Sequence, residues 1–350
     1  MKGSRGSKAP FKRCAAVLAV AASCVGGTAH AGWFDYNDGK VFLTEGVTMA
    51  DGAAGGGAVP WAVIAGNETR DGINGSVHFT YVSLPNYSAL IPGVNIGFYD
   101  RVELSAAYAN LPTGSTFDTV GLLNSVISGN STSGSIGGVE PWNTTIKMMV
   151  YGAKVRVFGE AIYDSDTWIP QVAVGGFYKI NANKALLHTL GANKSKDFEG
   201  YVAFTKIFFP ISTAIDITAR YTSANEIGLT GFGGPDGNHR KVRLEGSLAY
   251  LLAKNIAIGG EYQQHGNNLG GHSVNLGSSS LTSVTNVLQA LGLGGASTAL
   301  TQQNESDWMD IFAAYAPAKN LSFTAAMLDF GNITFTPNQI GFYLSINASF

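Results

Sequence analysis

Apolar and polar residues alternate along most of this chain with a period of two. Val102, Leu104, Ala106 and Tyr108 hold one parity, and Arg101, Glu103 and Ser105 the other. Met149, Tyr151, Ala153, Val155 and Val157 alternate with Gly152, Lys154 and Arg156. Ile215, Ile217, Ala219 and Tyr221 alternate with Asp216, Thr218 and Arg220. Val242, Leu244, Gly246, Leu248 and Tyr250 alternate with Arg243, Glu245 and Ser247, and Ile256, Ile258, Gly260 and Tyr262 with Ala257, Gly259 and Glu261. Such stretches of about ten residues are strands with one face on apolar matter and the other on water.

The connections form a second regularity. Tyr99-Asp100, Phe209-Pro210, Ala253-Lys254 and Pro317-Ala318-Lys319 are short turns, whereas 111–143, 181–197, 223–238 and 265–304 are long. Fourteen candidate strands follow: 40–49, 58–66, 75–84, 89–98, 101–110, 145–158, 167–179, 199–208, 212–222, 240–252, 255–264, 306–316, 320–330 and 339–350. Short turns then fall on one side and long loops on the other. This predicts an all-β, antiparallel, up-and-down transmembrane β-barrel with short periplasmic turns and long extracellular loops. Strand boundaries read from sequence leave twelve or sixteen strands open. The physical ground is that lipid offers no hydrogen bonds, so a spanning sheet must close on itself.

Tyr108, Tyr221 and Tyr262 fall on the apolar parity at long-loop ends, and Tyr250 and Tyr315 at short-turn ends. They are candidates for an aromatic girdle at headgroup level. The last stretch, "IGFYLSINASF", places Ile340, Phe342, Leu344, Ile346 and Phe350 on one parity. It resembles the terminal strand that the barrel-assembly machinery of bacterial outer membranes reads, and it is expected to close the barrel against the first strand.

Composition agrees. Charged residues are 13% and aromatic residues 11% of 350, with 45 glycines. That is little charge for a soluble domain and many aromatics for a disordered chain. Residues 1–31 read as a secretory signal peptide cleaved after Ala31. Lys2, Arg5, Lys8, Lys12 and Arg13 precede a short apolar run, 14–27, and an A-x-A site at Ala29-His30-Ala31. A lipoprotein signal ending at Cys24 is the competing reading. Five of the 22 Lys and Arg lie in that leader and no acidic residue does, so 32–350 carry 17 against 24, a net −7. The balance argues against a nucleic-acid partner. Both cysteines, Cys14 and Cys24, also lie in the leader, so no disulfide is expected in the barrel.

"GGGAVPWAVIAG" (55–66), "GVNIGFYDRVELS" (93–105), "DWMDIFAAYAPAKNLSFTAAMLDFGNI" (307–333) and "QIGFYLSINASF" (339–350) resemble domain-of-unknown-function family 3034 of proteobacterial proteins. The resemblance implies an outer-membrane location and carries no activity or site residues.

Candidate chemistry rests on the polar parity. Arg101, Glu103, Lys154, Arg156, Asp216, Arg220, Arg243, Glu245 and Glu261 are candidate pore-lining residues. The alternative is that they pair across strands and fill a wet lumen. Both signs are present, so no ion preference follows. Helical spacing in 119–127 and 281–293, the latter through Leu281, Val284, Leu288 and Leu291, suggests loop segments that either enter the lumen or pack on other loops. "GAAGGGAVPW" (52–61) lacks the P-loop pattern, so its glycines are assigned to a tight turn or a close backbone contact.

No G-x-S-x-G and no H-x-x-x-H pair occurs, and His78, His188, His239, His265 and His272 are scattered. Neither an enzyme nor a cofactor is expected, although a triad assembled from distant strands leaves no sequence mark. Asn67, Asn130 and Asn143 begin glycosylation-type triplets that mean little in a bacterial barrel.

The functional expectation is an outer-membrane, porin-like channel in contact with lipid, passing small solutes through a mixed-charge lumen. The alternative is a non-transporting barrel whose loops bind ligands or partner proteins. About eight residues precede the first expected strand, too few for a plug. A soluble secreted β-helix is the competing fold; it would show no girdle.

Overall fold

The computed structural model describes residues 43, 47–66, 72–113, 145–164, 167–237, 239–275 and 278–349. The expected leader, the helical-spacing stretch 119–127, the asparagines of the glycosylation-type triplets and Phe350 lie outside them.

Twelve strands form one closed barrel. They are β1 (Ile73–Ser83), β2 (Ser88–Phe98), β3 (Val102–Pro112), β4 (Thr145–Phe158), β5 (Gln171–Asn181), β6 (Lys196–Phe208), β7 (Thr213–Thr222), β8 (Lys241–Ala253), β9 (Ile256–Gln263), β10 (Trp308–Ala318), β11 (Leu321–Asp329) and β12 (Ile340–Ser349). Each strand pairs antiparallel with its chain neighbours. The seam is closed by β12 on β1, from Phe342 opposite Ser83 to Ser349 opposite Ser76. Among the described residues three α-helices stand in the long connections: α1 (Lys184–Leu190), α2 (Ser278–Ala290) and α3 (Gly294–Thr301). None of the described helices is long and apolar enough to cross a membrane.

The alternation expected from the sequence is realised as an outside and an inside. Along β10, Trp308, Asp310, Phe312, Ala314 and Ala316 are buried, while Met309, Ile311, Ala313 and Tyr315 are exposed. Ile217 (57% exposed), Leu244 (57%), Leu248 (56%), Ile311 (74%) and Met327 (71%) are too apolar to face water in such numbers. Their belt runs around the barrel and is the surface that lipid covers.

Two of the fourteen expected strands are not in the wall. Residues 47–66 instead run inside the lumen, where Val47–Thr48 pair with Ala54–Gly55 in a two-residue ladder. The expected first strand, 40–49, is described only from Val47 apart from Leu43. The physical reason is visible in 58–66. Val59, Trp61, Val63 and Ala65 are apolar, but so are Pro60, Ala62 and Ile64, so no parity is left to face a wet lumen. Pro60 has no N–H to give a ladder. Removing two strands from the count leaves the sidedness intact: one end still carries the turns at 99–101, 209–212, 254–255 and 319–320, and the other the long loops. Two connections depart from the rule. The 84–87 turn is short on the long-loop side, and 159–170 is long on the short-turn side because β5 starts at Gln171 rather than 167.

Candidate functional site: a plugged lumen

The lumen is occupied by residues 47–66, which are buried throughout except for partial exposure at Ala50, Gly57 and Ala58. A segment with almost no ladder of its own must find partners for its backbone elsewhere. The wall supplies them from most sides. Asn95 on β2 donates to Gly52 O (3.1 Å). Glu103 on β3 accepts the Ala54 and Ala65 N–H groups (3.1 and 2.9 Å). Lys154 on β4 donates to Ala54 O (3.0 Å) and Trp61 O (3.1 Å), and pairs with Glu103 (3.0 Å). Gln171 on β5 donates to Ala62 O (2.7 Å), while Thr205 on β6 accepts Ala62 N–H (2.6 Å). Thr218 on β7 donates to Pro60 O (2.8 Å), and Glu261 on β9 accepts Ala58 N–H (2.6 Å).

The glycines allow this approach. A Cβ on Gly56 would sit 1.5 Å from Glu261 Oε1, and one on Gly57 would sit 2.2 Å from the Tyr343 hydroxyl. The close-contact reading of 52–61 therefore describes these residues, in a lumen segment rather than a wall hairpin.

A second polar cluster ties the plug to the wall through charge. Asp51 pairs with Lys179 (2.7 Å) and Arg220 (3.2 Å). Glu199 meets the same two cations at 3.2 Å each, and Arg220 also pairs with Glu245 at 2.7 Å. Nearer the short-turn mouth, Arg156 pairs with Asp100 and with Glu160. Asp216 is held by Thr205 and Thr218 (2.5 and 3.1 Å).

Seven of the nine candidate pore-lining residues are thus buried on the inner face: Glu103, Lys154, Arg156, Asp216, Arg220, Glu245 and Glu261. Arg243 is half-buried near the loop-side mouth, where its guanidinium donates to His265 O (2.9 Å). Arg101 is a correction. It is exposed in the turn before β3, its N–H bonded to Phe98 O (2.9 Å), because the strand begins at Val102. Asp51, Lys179 and Glu199 were not singled out from sequence. Lys179 and Glu199 share the polar parity of their strands, a signal that could have found them; Asp51 carries none.

On the outer face, Tyr221, Tyr250, Tyr262 and Tyr315 are exposed at strand ends and Tyr108 is half-buried. In β12, Ile340, Phe342 and Leu344 point outward and Ile346 is half-buried. His78 faces the lumen over Gly93, and its ring nitrogens make no hydrogen bond with the described residues.

Above the plug, on the long-loop side, residues 225–231 dip into the lumen as a strap. Lys179 donates to Ile227 O (2.9 Å), and Asn181 to Gly228 O and Leu229 O (3.2 and 2.9 Å). Glu226 and Ile227 both adopt left-handed backbone (φ 45° and 54°), rare for such side chains.

The strap floors an apolar cavity of about 80 Å³ among Leu84, Ile91, Leu111, Ile146, Leu229 and Phe330. Glu226 lies at its edge, 1% exposed. Burial and the neighbouring Glu305 carboxyl hold its pKa well above the ordinary carboxylate value. Glu305, also buried, is pushed up to about 8. Burial, then Arg220, Lys179 and Arg243, hold the His265 imidazole well below its usual value. Its ring stacks on Trp308, which stacks on Phe330 (centroids 4.4 and 3.7 Å apart).

The loops close over this mouth. Val284 and Leu288 of α2 and Leu300 of α3 join Leu186 and Leu190 of α1 in one apolar cluster, while Leu291 is exposed. Gln303 donates to Leu190 O (2.8 Å) and Asn275 N–H to Thr189 O (2.7 Å). The helical stretch 281–293 therefore packs on neighbouring loops. Among the described residues no group of three or more His, Cys, Asp or Glu could hold a metal ion.

A closed antiparallel barrel with an even strand number, an apolar outer belt and a polar interior is a transmembrane β-barrel of the bacterial outer-membrane kind. The chain belongs to the family described as "Protein of unknown function (DUF3034)", whose model matches residues 44–347. No curated protein matches it. Among solved structures it is similar to the KdgM porin (8% identity, TM-score 0.43), covering 79% of this chain and 99% of that one. It is also similar to an outer-membrane channel from Pseudomonas putida F1 (10%, 0.42, 84% and 97%). A third is an enzyme, outer membrane phospholipase A from Escherichia coli (9%, 0.34, 79% and 92%).

Proposed function

We propose that this protein is an outer-membrane transport barrel for small solutes, held shut by residues 47–66 and opened when that segment shifts. The observation that carries the reading is how the plug is held. Its polar ties to the wall are side-chain hydrogen bonds and ion pairs, its apolar residues such as Trp61 and Val63 pack on inward side chains such as Ile207, Ala214 and Phe312, and its own ladder is two residue pairs long, with no backbone ladder to the wall among the described residues. It can therefore leave while the twelve-strand ladder stays intact, and the freed wall charges gain water. In this reading Glu103, Lys154, Arg220 and Glu261 act as clamps on the plug when the barrel is closed, and with the other inward charges as lumen lining when it is open. Cleavage of the leader after Ala31, recognition of the β12 strand by the barrel-assembly machinery and a headgroup-level role for the five tyrosines belong to the same reading.

The filled lumen also favours the second reading, a barrel that transports nothing and presents its loops to ligands or partner proteins. A lock separates the two. Ala62→Cys and Thr205→Cys place a pair where the backbone N–H of one meets the hydroxyl of the other at 2.6 Å. Solute flux into liposomes carrying the full chain should be present with the pair reduced and lost when it is oxidised. Absence of flux in both states of the folded, inserted protein refutes transport.

A further inference from the structure

The basic residues of the long-loop end are gathered into one sector of the barrel. Lys147, Lys184, Lys194, Lys196, Arg240 and Lys241, with Arg243 just inside the mouth, all belong to β4–β8 or the connections between them. Among the described residues β9–β12 and β1–β3 bring no lysine or arginine to that end, and Asp307 and Asp329 stand there instead. Residues 113–144, between β3 and β4, contain none in sequence. The chain beyond the expected leader is acidic, so a sector this basic needs a reason.

Three of these cations continue the outward parity of alternate strands. Lys147 on β4 stands two residues beyond Met149, Lys196 on β6 two beyond Phe198, and Arg240 two beyond Val242 of β8; those three apolar residues are exposed on the lipid belt (45%, 53% and 62%). Strands lie ~4.8 Å apart, so successive cations are about 10 Å apart around the rim. The register brings them to one height. The ladder that leaves Phe158, the last residue of β4, passes Val172, Phe204 and Ile217 and reaches β8 at Gly246, well short of its end at Ala253. It therefore climbs toward the loops, by about one residue per strand, as tilted strands require. Lys196 is level in the ladder with Met149, and Arg240, by extension of the same register, with Phe198. Each offset is the one that the climb removes. A cation on the lipid-facing parity is costly except near the interface, which puts the row at headgroup level. The Arg240 guanidinium lies over the Tyr221 ring, 5.6 Å from its centroid, and is held there by Asp197 at 2.6 Å, with Lys194 4.0 Å from the same carboxylate. The Lys147 and Lys196 ammonium groups have no partner among the described residues.

We propose that the outer rim of β4–β8 binds a phosphorylated glycolipid of the outer leaflet, with its phosphates on Lys147, Lys196 and Arg240 and its acyl chains against Met149, Phe198 and Val242. Barrels of this kind turn their long loops outward, and the outer leaflet there is built largely from such a glycolipid. Two features select this occupant. The row of cations is continuous with the apolar belt beneath it, as the phosphates of a lipid are with its chains. Its charge is opposite to that of the headgroup, and clusters of lysine and arginine at a membrane surface hold anionic lipid. Asp197 is the carboxylate within the row, and its bonds to Arg240 and Ser223 (2.7 Å) leave the two unpartnered lysines free to meet phosphate. The proposal rests on the outward direction of the long loops and is independent of whether solutes cross.

The test titrates the full chain, folded in a zwitterionic detergent, with bis-phosphorylated lipid A and reads bound lipid by native mass spectrometry. The comparison ligands are an acyl-matched lipid A without phosphate, and inorganic phosphate alone. Folding of every variant is checked by its resistance to unfolding in detergent until heated. Saturable binding of lipid A is expected, at least about tenfold tighter than that of the phosphate-free lipid. At about fivefold per cation, the triple variant Lys147→Gln/Lys196→Gln/Arg240→Gln should lose roughly a hundredfold in affinity. Should it not fold, Lys147→Gln/Lys196→Gln, which breaks no ion pair of the fold, should lose roughly twentyfold. Arg101→Gln/Lys254→Gln/Lys319→Gln removes the same charge at the short-turn end and should bind as the native chain does. Equal affinity for the two lipids, or equal losses in the two triple variants, overturns the site. Inorganic phosphate that binds as tightly as lipid A overturns the lipid as occupant and leaves a site for a free anion.

Discussion

Replacing Lys154 by methionine should release the plug. The Lys154 ammonium gives two hydrogen bonds to plug carbonyls, Ala54 O and Trp61 O, and a third contact to Glu103. Both it and Glu103 are 1% exposed. With the plug withdrawn, the lysine and glutamate still pair, but in water. The substitution therefore costs the closed state two charge-assisted hydrogen bonds, ~1.5–3 kcal/mol each, that the open state never had. It also leaves Glu103 buried without its cation in the closed state only, a further penalty of the same sign. Taking ~3 kcal/mol as the lower bound, the ratio of open to closed barrels rises roughly 150-fold, at tenfold per ~1.4 kcal/mol.

Single-channel recording in a planar bilayer reads that ratio directly as opening frequency. Lys147→Met on the same strand is the control, since Lys147 is exposed and its recorded contacts do not touch the plug. The expected record is rare openings in the native protein and in Lys147→Met, and frequent or sustained openings of equal conductance in Lys154→Met. An opening frequency in folded Lys154→Met within about threefold of native would refute the reasoning. So would a native protein that is already steadily open.

Three further outcomes are expected. Gly56→Ala must displace the Glu261 carboxylate that accepts Ala58 N–H, loosening the plug by ~2 kcal/mol; opening frequency should rise about thirtyfold, less than for Lys154→Met, and no change would mean the contact is slack. Ile217→Arg places a charge on the outer belt at the middle of β7, and urea titration in liposomes should show a loss of ~2–4 kcal/mol; a loss near zero would mean that this face does not meet lipid. Glu305, at about 8 in the folded loops against an ordinary 4.5, binds a proton that the opened loop releases. Loop stability should therefore be highest below pH 4.5 and fall as pH rises toward 8, by on the order of a few kcal/mol. Amide protection at 226–231, corrected for intrinsic exchange, should follow that fall and depend less steeply on pH in Glu305→Gln, where Glu226, raised by its own burial, is left to titrate alone; protection that rises with pH contradicts the assignment.

The barrel wall was legible because lipid and water impose a period of two on any strand between them. Met149 to Val157 and Val242 to Tyr250 show it residue by residue, and the short turn at 254–255 lies beside the Ala253-Lys254 position read from sequence. The plug was not legible because both its faces meet protein. Residues 58–66 are apolar on both parities, which in sequence is indistinguishable from a strand buried on two sides. The strap was less legible still. Nothing in "NEIGLTG" announces that Glu226 and Ile227 take left-handed backbone, since neither residue type favours it. Arg101 was misplaced for a smaller reason: a boundary error of one residue moves a side chain from the lumen to a turn.

The mixed charge of the inner face follows from the same fact. An intraluminal segment brings both N–H and C=O groups, and a wall that must satisfy them needs acceptors and donors together. Glu103, Thr205 and Glu261 accept; Asn95, Lys154, Gln171 and Thr218 donate. Read as a pore lining, that mixture suggested no selectivity. Read as a clamp, it is what the backbone of 47–66 requires. Charge on a barrel's inner parity therefore speaks to the solute only after the groups that hold a plug have been set aside. Among the inward charges read from the sequence, that leaves Arg156 near the short-turn mouth, Asp216 and Glu245 in the wall network, and Arg243 at the loop-side mouth.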